Sequence, residues 1–275
     1  MAEASLETVL RRDRLAVAVA LAAAAALAWA YVLWLAFAMP AGGADVMHGM
    51  TGMGGMADML APAPKPWAAA EFGFVLAMWA VMMVGMMTPS AAPMILIYTR
   101  VARQAATLGR PFAPTGWFAG GYLSCWFGFA LAATSAQWAL ERAALLAPTS
   151  GRLSDALGGL VLFAAGLYEL SPLKNACLTQ CRSPLFFIQS HGGFRADGPG
   201  ALRLGLLHGA YCVGCCWGLM TLLFVGGIMN VLWIAGLSAL VLLEKLSRGR
   251  VLPMLVGCGL GAAGLWLLAT SAFSR

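Results

Sequence analysis

No Asp, Glu, Lys or Arg interrupts the stretch from Leu204 to Leu243. About 20 apolar residues suffice to cross a hydrocarbon core of about 30 Å, so this run is long enough for two crossings, with a turn near Gly226–Gly227. Five further apolar segments read the same way, at about Leu15–Met39, Phe72–Thr99, Thr115–Trp138, Leu153–Leu173 and Pro253–Phe273. Each is expected to be helical, because lipid offers no partner for an unpaired backbone group. The composition agrees. Hydrophobic residues make up 61% of the 275 and charged residues 10%, against about 25% charged in soluble chains. With so few charges a soluble surface could not be covered, which excludes a soluble dehydrogenase or hydrolase, a nucleic-acid module and a disordered hub.

The expected fold class is therefore an all-α, polytopic transmembrane helical bundle of about seven spans. Thirteen of the seventeen basic residues, among them Arg11, Arg12, Arg14, Arg100, Arg103, Lys174, Arg182 and Lys245, fall on one side of that arrangement. Basic loops favour the cytoplasmic side. This places the N-terminus inside, the C-terminus outside and the chain in a bacterial inner membrane as a multi-pass protein. The organisation expected is a basic N-terminus (1–14), a first span (15–39), a Met/Gly/Pro-rich periplasmic loop (40–71) and a six-helix metal-binding domain (72–275). Ala36-Phe37-Ala38 resembles a cleavage box, but the apolar run before it exceeds a signal core, and the first span is expected to be retained. Gly116, Gly120, Ser124 and Gly128, and later Gly257 and Gly261, recur every fourth residue, a spacing that lets helices approach closely.

Sulfur is the unusual element. Twelve of the sixteen methionines lie between Met39 and Met94. In the outer loop, Met47, Met50, Met53, Met56 and Met59 recur every third residue around His48. Thioethers are soft, uncharged ligands that suit Cu(I), and a Gly-rich chain could fold several of them around one ion. A mobile linker is the bland alternative. In the second span, Met82, Met83, Met86 and Met87 precede Pro89 and Pro93, two residues expected to kink or break the helix and free carbonyls towards a cavity. Core gap-filling is the competing explanation for these methionines.

The fifth span carries LHGAYCVGCCWGLM. At 100° per residue, His208, Cys212, Cys215 and Cys216 fit one arc of about 100°, and an ionisable residue inside a span is a functional hypothesis by default. Cys177 and Cys181 follow the fourth span on the inner side, where a reducing compartment favours metal binding or transient redox chemistry over a standing disulfide. Glu169 is read as an ion-pair partner of Lys174, Glu244-Lys245 as an interfacial anchor, and Cys125 and Cys258 as packing residues.

Three segments, MMVGMMTPSAAPMILIY (Met82–Tyr98), KNACLTQCRSP (Lys174–Pro184) and HGAYCVGCCWGLMTLLFVGGIMNVLW (His208–Trp233), followed by Glu244-Lys245, together resemble a bacterial family described as predicted metal-binding integral membrane proteins. That family is linked to copper supply for tyrosinase-type oxidases. The resemblance covers about Phe72 to Lys245 and leaves out the Met-rich loop. It implies copper, with a cuproenzyme or a copper chaperone as partner beside the lipid bilayer, and no nucleic acid.

The sequence thus points to an inner-membrane copper-handling protein that binds, transfers or transports Cu(I). The Met loop would be an outer station. His208, Cys212, Cys215 and Cys216 with Met82, Met83, Met86 and Met87 would form an intramembrane site, and Cys177 with Cys181 an inner station. Two other classes stay open: a membrane thiol oxidoreductase, and a non-catalytic assembly subunit of a larger membrane complex. A hydrolase has no support, since no nucleophile motif, phosphate loop or HExxH is present.

Overall fold

The computed structural model describes residues 2–38, 67–109, 111–146, 152–247 and 249–273, with side chains from residue 15 onward. These residues form helices and no strand beyond an isolated bridge between Leu146 and Leu153. The helices are α1 (Ala2–Ala38), α2 (Ala69–Thr107), α3 (Thr115–Arg142), α4 (Asp155–Leu170), α5 (Pro172–Arg182), α6 (Pro184–Ser190), α7 (Gly198–Thr221), α8 (Leu223–Gly226), α9 (Val231–Leu246) and α10 (Val251–Phe273).

Within the described residues, every apolar segment read from the sequence is helical over most of its length. Fewer of them meet the length and apolarity of a span than the seven expected. Four do, at Leu15–Ala36, Ala69–Thr107, Gly198–Gly226 and Val251–Phe273, and a fifth if α4 and α5, bent by 63° to one another, count as one broken span. The shortfall has physical causes. α9 has 16 residues, as does α4 alone, which at 1.5 Å per residue is about 24 Å. α3 has 28 residues but is diluted by Gly, Ser and Trp. The side surface is apolar, with Leu27, Leu232, Trp266 and Phe273 strongly exposed, as a lipid-facing surface requires.

Local signals explain the boundaries. Pro172 opens α5 with Ser171 accepting from the Lys174 amide, a proline at the first helical position and a capping hydroxyl. Asp197 caps α7 through the Gly200 amide, and Asn230 caps α9 through the Trp233 amide. The turn expected near Gly226–Gly227 is present: Gly227 has φ of 99°, a conformation glycine adopts without penalty. α2 is not broken by Pro89 and Pro93; it runs on as one helix of 39 residues. The two prolines leave the Gly85 and Pro89 carbonyls without their ladder partners, and on the turn between them Tyr122 and Ser90 both donate to the Met87 carbonyl, at 3.3 and 2.9 Å.

Two helix pairs carry the closest packing. α4 lies on α10, where a Cβ on Gly166 would stand 2.6 Å from the Gly261 amide and one on Gly264 2.5 Å from the Phe163 amide. Gly257 and Gly261 therefore do line a close contact. α3 lies on α7, but not through the residues expected. Gly116 and Gly128 face open space and Ser124 is exposed. The intimate contacts are at Gly121, against the Leu202 carbonyl and the Leu206 amide, and at Gly205, against the Phe118 carbonyl. This contact brings Tyr122 of α3 beside the cysteine-bearing turns of α7.

Candidate metal centre

The cysteines of α7 are buried, with Cys212, Cys215 and Cys216 each 1% exposed. A helix puts residues three and four apart on one face, so this cluster follows from spacing. The tertiary structure adds a fourth sulfur. α5 packs across α7 and sets the Cys181 thiol 3.9 Å from that of Cys215, and Cys181, Cys215 and Cys216 all lie close enough to Cys212 to interact with its sulfur. The inner pair expected at Cys177 and Cys181 is thus divided. Cys181 joins the α7 cluster, while Cys177 sits over the Gly214 backbone, its sulfur 2.9 Å from where a Cβ there would be.

Cys212 is the best-connected sulfur. The Lys245 ammonium reaches it at 2.9 Å, and the Tyr122 hydroxyl lies at 3.2 Å. Lys245 also donates to Ser90 at 2.8 Å. An ammonium against a buried sulfur supplies the counter-charge that a metal-binding thiolate needs in an apolar interior. Sequence reading placed Lys245 at the interface as an anchor, set Ser90 beside a cavity at the proline turn and gave Tyr122 no part. Lys245 comes from α9, Tyr122 from α3 and Ser90 from the proline turn of α2. A lysine closing an apolar run and a serine between two prolines were visible signals, but nothing local says that they meet.

The thiols of Cys215 and Cys216 are turned back on their own helix, donating to the Cys212 carbonyl at 3.1 and 2.8 Å. That orientation is why, among the described residues, no three His, Cys, Asp or Glu side chains are arranged around a common metal position. Chemically the set still suits a soft ion. With metal–sulfur bonds of about 2.3 Å, sulfurs in a trigonal or tetrahedral set stand about 3.8–4.0 Å apart, which is the spacing of Cys181 and Cys215.

His208 is 4% exposed, with Nδ1 lacking a partner. Its ring is packed by Phe187, Tyr122 and Phe118 at centroid distances of 5.1, 5.8 and 5.9 Å. It adjoins the thiols through Tyr122, whose ring it faces and whose hydroxyl meets Cys212. Met82, Met83, Met86 and Met87 are all at most 2% exposed and belong to the hydrophobic core. α2 reaches the thiols through Ser90 and the Met87 carbonyl rather than through a described thioether contact. Cys125 packs on Gly209, and Cys258 is exposed on α10. Met47, His48, Met50, Met53, Met56 and Met59 lie outside the described residues.

No curated protein and no solved structure matches the chain. A family model described as PpoB2, copper chaperone, matches residues 76–267, from the second helix to the tenth. The matched part holds all four clustered thiols with Lys245, Tyr122 and Ser90, and leaves out α1 and the Met-rich loop. Covering more than two thirds of the chain, this match shows that the protein belongs to the PpoB2 copper chaperone family.

Proposed function

We propose that this protein holds Cu(I) in the bacterial inner membrane at Cys181, Cys212, Cys215 and Cys216 and passes it to a copper-requiring enzyme or to another copper carrier. The observation that carries this reading is the convergence of four thiols from two helices, with Lys245 against one of them. Soft sulfur selects a monovalent coinage ion over hard cations. Rotating Cys215 and Cys216 away from the Cys212 carbonyl is the local change that completes the set. Cys177 stands next to the centre as a relay thiol, and His208 with Met82, Met83, Met86 and Met87 flanks it. Met47, His48, Met50, Met53, Met56 and Met59 form an outer collecting segment. In the topology that goes with this reading, the N-terminus is inside, the C-terminus is outside and α3 and α9 complete the seven crossings, held by protein contacts where their own apolarity falls short.

The test is anaerobic purification in detergent with elemental mass spectrometry, followed by X-ray absorption at the copper edge. Wild type is expected to carry copper with a sulfur-only shell, and Cys212→Ser/Cys216→Ser to lose at least tenfold in affinity. Equal copper in both proteins, or zinc in place of copper, would sink the proposal.

A thiol oxidoreductase is a second reading, favoured by the same 3.9 Å approach of Cys181 and Cys215, since thiols this close can exchange. It requires a Cys181–Cys215 disulfide under oxidising conditions, detectable by alkylation before and after reduction, and full activity without bound copper.

A further inference from the structure

A second charged centre lies apart from the thiols. Glu169 stands near the end of α4, Lys174 in the first turn of α5 beyond the bend, and Glu244 in the last turns of α9. The Lys174 ammonium donates to Glu169 Oε2 and, at 2.7 Å, to Glu244 Oε2. All three side chains are at most 2% exposed. The expected Glu169–Lys174 ion pair is present, but Glu244 completes it as a buried member rather than an interfacial anchor.

The arrangement leaves two things unbalanced. Two carboxylates share one ammonium, which holds their Oε2 atoms as close neighbours. Each has a second oxygen, Glu169 Oε1 and Glu244 Oε1, that is buried without a partner. Among the described residues no second cation is bonded to either carboxyl group. The Arg182 guanidinium of α5 is committed to the carbonyls of Glu244 and Gly249. α10 presents Gly257 to the Glu169 Cβ and carries no charged residue from Val251 to Phe273. α7 has no carboxylate or amine between Cys212 and Thr221. Arg250 stands with Glu169, Ser171, Lys174, Asn175 and Met254 around a cavity of ≈ 260 Å³, which is room for several waters.

A second carboxylate on one ammonium in an apolar interior is costly, and like charges that share a site favour protonation of one of them. One proton eases both: it offsets one of the two carboxylate charges on Lys174 and turns an unpartnered carboxyl oxygen into a donor. We propose that Glu169 and Glu244, bridged by Lys174, form a proton-binding site that exchanges with water through the adjoining cavity. Glu244 and Lys245 are consecutive on α9 and point to different partners, so this site lies one residue from the ammonium that touches Cys212.

Infrared difference spectroscopy on the intact, copper-free protein in detergent tests the assignment. Wild type at neutral pH is expected to show a protonated-carboxyl stretch that moves in heavy water and vanishes on alkalinisation. Glu169→Gln and Glu244→Gln are each expected to abolish it. A wild type lacking that band, or a band that survives both substitutions, overturns the proposal, and the wild-type arm decides even if a variant does not fold. Met254→Trp, which fills the cavity lining, is expected to slow the heavy-water shift at least tenfold with the band's amplitude kept; an unchanged rate refutes the route. Because no copper is present, failure here is separate from failure of the thiol assignment.

Discussion

At the scale of single residues, Lys245 changes how the metal centre is understood. Three cysteines on one helical face make a cluster that any helix would produce, and such thiols are ordinarily inert packing groups when buried. An ammonium at 2.9 Å from one of them has no packing rationale, because a lysine costs more to bury than the methionine that would fill the same space. Lys245→Met is therefore expected to keep the fold and lose about tenfold in Cu(I) affinity, or about 1.4 kcal/mol. Competition against a Cu(I) chelator measures this. Unchanged affinity would reduce Lys245 to a structural partner of Ser90. The sulfur-bearing half of the site was legible from spacing, since Cys212, Cys215 and Cys216 share a face by helical geometry alone. The other half was not. Cys181, Lys245 and Tyr122 lie 34, 33 and 90 positions from the α7 sulfurs they meet, and no periodicity encodes such meetings.

At the scale of helices, glycine decides which faces touch. Gly166 of α4 meets Gly257 and Gly261 of α10 where a side chain has no room. The small-residue spacing identified that contact on α10 but chose the wrong face of α3. Gly116, Gly120, Ser124 and Gly128 also recur every fourth residue, yet the packed glycine is Gly121, one position round the helix. A small residue permits close approach without requiring it, and the partner's shape selects among the permitted faces. Gly166→Leu is thus expected to separate α4 from α10, destabilising the protein by about 3 kcal/mol or more through overpacking, with loss of the monodisperse peak in size-exclusion chromatography. Gly116→Ala is expected to be neutral or stabilising by up to about 1 kcal/mol, because nothing lies within 4 Å of its Cβ position. Melting curves of both variants check the contrast. The bend between α4 and α5 belongs to this scale too: without it, Lys174 could not fold back onto Glu169, nor Cys181 reach Cys215.

At the scale of the whole molecule, the copper chaperone match and the Met-rich segment separate. The matched part runs from residue 76 to 267, so the thiol centre lies inside it and Met47–Met59 lie outside it. Replacing Met47, Met50, Met53, Met56 and Met59 with leucine is expected to leave copper bound at saturation unchanged while slowing its uptake from dilute solution several-fold. Stopped-flow loading beside equilibrium occupancy distinguishes the two effects, and a matching loss of occupancy would move these thioethers into the principal site.

The amino-acid sequence alone determined that this chain is helical and apolar enough for a membrane, because composition and run length set the solvent a chain can live in. It also determined the turn at Gly226–Gly227 and that three cysteines gather on one face of α7. Those are local properties, governed by neighbours within one or two turns. Only the tertiary structure decided that α2 continues through Pro89 and Pro93, that Cys181 rather than Cys177 joins the cluster, and that Glu244 and Lys245 divide between two buried charged centres. Each of these depends on groups far apart in the chain sharing a low-dielectric interior, where an unpaired charge or carbonyl is too costly to leave and the packing of whole helices settles which partners are within reach.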